Sequence, residues 1–65
     1  MLAVLKNHSS QEIICEKDAL DVVIEIRFDG TIWFVCKHEN ANANAYFNSE
    51  FYEMIFPNPA SIDFR

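Results

Sequence analysis

Four side chains in this sequence have the chemistry to hold a metal or to support a nucleophile: His8, Cys15, Cys36 and His38. A structural zinc site takes its cysteines and histidines in closely spaced pairs, so that each short loop supplies two donors. Only Cys36 and His38 are close here, and on a strand they point to the same side, where Cys36 belongs to an apolar run. The two cysteines show no C-x-x-C spacing, and each sits in an apolar, strand-like segment. That pattern reads as two reduced, buried thiols. A Cys–His nucleophile would need an exposed thiol beside an imidazole, which neither run offers. Glu50 and Glu53 stand one helical turn apart, a spacing that an acidic chain produces freely. The single glycine excludes a glycine-rich phosphate cradle. These residues predict no enzyme, no cofactor and no metal.

Charge narrows the partners. Ten acids face five bases, a formal charge of −5, and five scattered bases make a poor footprint for phosphates. No direct contact with nucleic acid is expected. Glu12, Glu16, Asp18, Asp21, Glu25 and Asp29 crowd a stretch whose only bases are Lys17 and Arg27. This reads first as a solvated face, and second as a lure for a basic protein, including one that normally grips nucleic acid. The longest apolar run, Ile32 to Cys36, is far too short to cross a membrane, and "MLAVLK" is too short and too quickly charged for a secretion signal. The expectation is a cytoplasmic protein with no membrane contact.

One aromatic residue remains to be placed. In "LDVVIEIRFDGTIWFVCK" the apolar residues alternate on both sides of Asp29-Gly30, the signature of a β-hairpin. A two-residue loop would set Ile26 opposite Trp33 and put Ile32, Phe34 and Cys36 on the side of Glu25 and Arg27. A three-residue loop, Phe28-Asp29-Gly30 with a left-handed Gly30, pairs Ile26 with Ile32, Ile24 with Phe34 and Val22 with Cys36. Because a slip of one residue moves every side chain to the other face, the second register is expected. It leaves Trp33, Val23 and Val35 outside, rimmed by Asp21, Glu25, Arg27 and Lys37, with Asp21 and Lys37 as a charge pair.

The elements around this hairpin follow from shorter patterns. "MLAVLK" and "EIICEK" fit two strands separated by the polar "NHSSQ". "HENANANA" reads as a connection. Phe47, Phe51, Met54 and Ile55 recur at helical spacing up to Pro57, which predicts a helix, and Ile62 and Phe64 suit a short edge strand. The expected fold is α+β: one small domain over residues 1–65, an antiparallel sheet of about four strands, and one helix packed on its apolar face.

With chemistry set aside, the outer face carries the functional expectation. Trp33, Val35, Val23, Glu25 and Arg27 form an amphipathic patch of the kind that anchors interfaces. A small monomer would not normally leave it bare, so a partner protein, a second copy of the chain or the C-terminal tail should cover it. The expected function is a small acidic protein-binding module, an inhibitor or accessory subunit that occupies a partner's surface. The alternative is an acidic nucleic-acid mimic that blocks a basic groove.

Overall fold

A computed structural model describes residues 1–59 and 61–64. The segments read as strands at the N-terminal end are strands. β1 (Ala3–Asn7) sends Ala3 and Leu5 inward, and β2 (Ile13–Glu16) returns antiparallel to it, with Leu5 opposite Ile14. The Asn7 side chain makes the reversal: its Oδ1 accepts the amides of Ser9 (2.9 Å) and Ser10 (3.0 Å), a local bond that competes with continued strand pairing. β3 (Asp21–Ile26) and β4 (Ile32–Lys37) form the central hairpin in the three-residue-loop register, Ile26 facing Ile32, Ile24 facing Phe34 and Val22 facing Cys36. Gly30 has φ +86°, and its amide donates to the Arg27 carbonyl at 2.9 Å, which closes the loop.

The predicted helix does not form. Residues 45 to 56 make two further strands, β5 (Ala45–Asn48) and β6 (Tyr52–Phe56), so the fold is nearly all β rather than α+β. Its one helical piece among the described residues is a 3-10 turn at Ala41–Ala43. Asn48 is the physical reason for the break. Its Oδ1 accepts the Glu50 amide at 2.9 Å and its carbonyl accepts the Phe51 amide at 3.0 Å, which turns the chain where a helix would have to continue. The four residues at helical spacing are then no single stripe. Phe47 and Met54 pack on the core, whereas Phe51 and Ile55 are exposed. The tail adds β7 (Ser61–Phe64), an edge strand as expected, paired parallel to β3.

The strands make two sheets in place of the single sheet expected, ordered β2-β1-β6 and β5-β4-β3-β7. The core lies between them: Ala3, Leu5, Ala19, Val22 and Cys36 are fully buried, with Phe34, Ala45, Phe47, Tyr52 and Met54 packed around them. Burying Leu5 alone contributes about 2 kcal/mol. Phe47 and Tyr52, on either side of the Asn48 turn, meet edge to face with ring centres 5.3 Å apart and so join the two sheets. The inner face of the larger sheet is only partly covered. Val22 and Cys36 at one end are buried, while Ile32 and Phe64 at the hairpin end are exposed, Phe64 by 77%.

Candidate functional site

The outer face of the β5-β4-β3-β7 sheet holds every residue of the expected patch, arranged differently from the expectation. Register puts Trp33 between Glu25 on β3 and Asn48 on β5, and Val35 between Val23 and Tyr46. Trp33 is outside, as predicted, and half-buried. Val23 and Val35 are not exposed: they retain 3% and 1% of their surface. In the register grid Val35 is flanked by Trp33 on its own strand and by Tyr46 across on β5, and Val23 lies between the strand positions of Lys37 and Asp63. Lys37 Nζ reaches Asp63 Oδ2 on β7 at 3.5 Å, a line that crosses β3 diagonally. The expected Asp21–Lys37 ion pair is therefore absent, although the two residues are directly opposite. Asp21 instead accepts the Val22 amide at 2.9 Å.

Arg27 is the centre of what remains. Its guanidinium carbon lies 4.2 Å from the centre of the Trp33 ring and 5.5 Å from that of Tyr46, so the cation is held against two aromatic faces. Its Nε donates to Glu25 Oε1 at 2.7 Å, and Glu25 is buried rather than on a solvated rim. Charge-assisted bonds of this length are the strong ones, and in a part-buried setting they fix the Arg27 side chain in place.

A second chain of bonds runs alongside. Trp33 Nε1 donates to Thr31 Oγ1 at 2.8 Å, and Thr31 Oγ1 donates to Asp29 Oδ1 at 2.6 Å. The Thr31 amide also donates to Asp29 Oδ1, at 3.0 Å. These two bonds from Thr31, side chain first, hold the Asp29 carboxyl below its usual pKa of 3.8. The indole, the hydroxyl and the carboxylate are thereby fixed relative to one another at the hairpin tip.

Between the tip and β5 opens a groove of about 540 Å³ lined by Glu25, Arg27, Phe28, Asp29 and Tyr46. Phe28, first residue of the three-residue loop, is 98% exposed, and Tyr46 is half-exposed. The sequence reading offers Tyr46, with Tyr52 and Phe56, as an addition to the patch from the expected helix, and leaves Phe28 and Asp29 out. Tyr46 joins the patch from a strand and not from a helix: with residues 45 to 48 extended, it lies beside Val35.

The other chemically capable residues stay apart. Cys36 is buried, as expected, and burial, helped by the negative charge of Glu16, pushes its thiol up to about 11. Cys15 is exposed, against expectation: on the edge strand β2 its side chain shares the outer side with Val4, which the second sheet does not cover. His38 faces Glu16, Nε2 to Oε1 at 3.4 Å, across the two sheets. Among the described residues, no cluster of three or more histidine, cysteine or acidic side chains is placed to hold a metal ion, and no helix is long and apolar enough to cross a membrane. Compared with known protein families, curated proteins and solved structures, the chain finds no match.

Proposed function

We propose that this chain is a small acidic protein-binding module, an inhibitor or accessory subunit without catalytic activity of its own, that occupies a partner protein's surface with the hairpin tip and the groove beside it. The observation that supports this most is Phe28. A fully solvated phenylalanine stands next to an arginine fixed between Trp33 and Tyr46, and Trp, Tyr and Arg are the residue types that carry most binding energy at interfaces. The anchors are Phe28, Tyr46, Arg27 and the exposed part of Trp33. Glu25 positions Arg27, and Val23 and Val35 support the face from beneath.

The mimic reading draws less support from the arrangement of acids. Glu25 is buried against Arg27 and Glu16 is turned toward His38, while Glu12, Asp18 and Asp29 occupy three different connections. A row of carboxylates spaced like phosphates does not emerge from that scatter.

The test is affinity capture with the full chain in parallel with the Phe28→Ala, Tyr46→Ala double variant, at low and high salt. A specific partner retained by the parent and lost by the double variant is the expected result. A partner held equally well by both would remove this surface from the function.

A further inference from the structure

We infer that the groove between Phe28 and Tyr46 receives a basic side chain from the partner, so that the occupant is an arginine- or lysine-bearing peptide segment. The inference rests on the protein-binding reading and names the chemistry of the partner at that same surface.

The groove is lined by two aromatic residues, two carboxylates and Arg27. Phe28 and Tyr46 line it with aromatic rings, a residue type whose faces attract a cation through the ring quadrupole. Glu25 is engaged by Arg27 at 2.7 Å. Asp29 accepts from the Thr31 hydroxyl and amide, and Arg27 attracts its carboxylate through space without a direct ion pair among the described residues. Its two bonds from Thr31 favour the charged form, so it stands as a fixed anion at neutral pH. Two carboxylates and one guanidinium give the lining a formal charge of −1.

Three classes of occupant can be compared on that basis. An acidic ligand would meet Asp29 and the field of a chain of formal charge −5. A purely apolar ligand would pack on the rings but strip water from Asp29 without replacing it, a cost that only a hydrogen-bonding or charged partner offsets. A guanidinium or ammonium group on an aliphatic stem satisfies both walls and carboxylate at once, stem and charge against the rings, donors on Asp29. Arg27 already shows the mode within the chain, stacked on Trp33 with its Nε on a carboxylate.

The experiment follows the amide resonances of the full chain during titration with a short oligoarginine peptide, with its uncharged citrulline counterpart in parallel. Expected are shifts centred on Phe28, Asp29, Gly30 and Tyr46, with citrulline binding about fivefold more weakly or worse. Asp29→Asn is the decisive variant, because its side-chain oxygen can still accept both Thr31 bonds and only the charge is lost. It should weaken oligoarginine about fivefold, and Phe28→Ala by about two- to fivefold. Glu12→Gln, in the β1–β2 connection, should change binding by less than about twofold.

Equal losses from Glu12→Gln and Asp29→Asn would overturn the inference, since diffuse attraction would then suffice. Shifts at Phe28 and Tyr46 that track protein concentration without peptide would also overturn it and assign the groove to a second copy. If oligoarginine does not bind while the Phe28→Ala, Tyr46→Ala variant still loses a captured partner, this inference fails and the protein-binding reading stands. If neither occurs, both fall.

Discussion

Lys37 faces Asp21 directly across the β3–β4 hairpin, yet its ammonium passes over the intervening strand to Asp63 on β7, 3.5 Å away. An exposed pair at that distance contributes little as an ion pair, about 0–1 kcal/mol. The aliphatic stem should do more, because the line from Lys37 to Asp63 crosses β3 at Val23, which is buried on the outer face of its sheet. Lys37→Met should therefore hold stability within about 0.5 kcal/mol, and Lys37→Ala should lose about 1 kcal/mol. Denaturant melts of the two variants check this; equal losses would mean that the charge, not the stem, is what counts.

Gly30 carries a positive φ of 86° with no atom near the position a Cβ would take. Gly30→Ala meets no clash, so its whole cost is the left-handed backbone, about 1 kcal/mol. A thermal melt measures it. An unchanged midpoint would show that the loop can relax out of the bulge at no cost.

Trp33 and Phe28 should separate folding from binding. Trp33 flanks Val35 and stacks on Arg27, so Trp33→Ala should lower folding stability by about 2 kcal/mol. Phe28 is solvated on nearly all of its surface, and Phe28→Ala should leave stability within about 0.5 kcal/mol while weakening association. Melts and a binding assay on the same pair of variants decide the matter, and the opposite assignment of effects would contradict the site.

The two thiols should differ sharply. Cys15 should react with a thiol reagent in the native state and Cys36 only on unfolding. The raised pKa of Cys36 also has a sign. The unfolded thiol, near 9, loses its proton before the folded one does, near 11, so alkaline pH favours the unfolded chain. Stability should fall between about pH 9 and 11 by up to roughly 2 kcal/mol more in the parent than in Cys36→Ala. Parallel slopes for the two proteins would argue against a buried neutral thiol.

The region misread as helix gives its own test. Asn48→Ala removes the acceptor that turns the chain at Glu50, and a loss of about 1 kcal/mol is expected, with far-ultraviolet circular dichroism β-like before and after. A helical spectrum in the parent would restore the first reading.

What was legible in the sequence depended on how far its signal reached. The β3–β4 register was readable because one loop position puts Val22, Ile24, Ile26, Ile32, Phe34 and Cys36 on a single apolar face, whereas a slip would bring Glu25 and Arg27 to the side of Ile32, Phe34 and Cys36. The helix was misread because Phe47, Phe51, Met54 and Ile55 fit a period of 3.6 over too few turns to exclude two short strands, and because the turn that Asn48 makes between them has no counterpart in that spacing. That error hid the strand position of Tyr46 beside Val35, and with it the second wall of the groove. The burial of Val23 and Val35 was illegible for another reason. It depends on where long side chains on neighbouring strands lie down, and on a parallel pairing between β3 and β7 that no local pattern encodes.

The strand order carries a kinetic consequence. In each sheet an inner strand, β1 or β3, pairs on one side with the strand that follows it and on the other with one from the far end of the chain, β6 or β7. The two hairpins are local and need only microseconds to form. Recruiting β6 and β7 requires closing long loops first, which places the whole chain among slow, high-contact-order folders, on the order of milliseconds to seconds. Substitutions in the β3–β4 hairpin should then act on the refolding rate, and substitutions in β7 on the rate at which the native state opens. Stopped-flow refolding and unfolding of Gly30→Ala and Ile62→Ala would separate the two limbs.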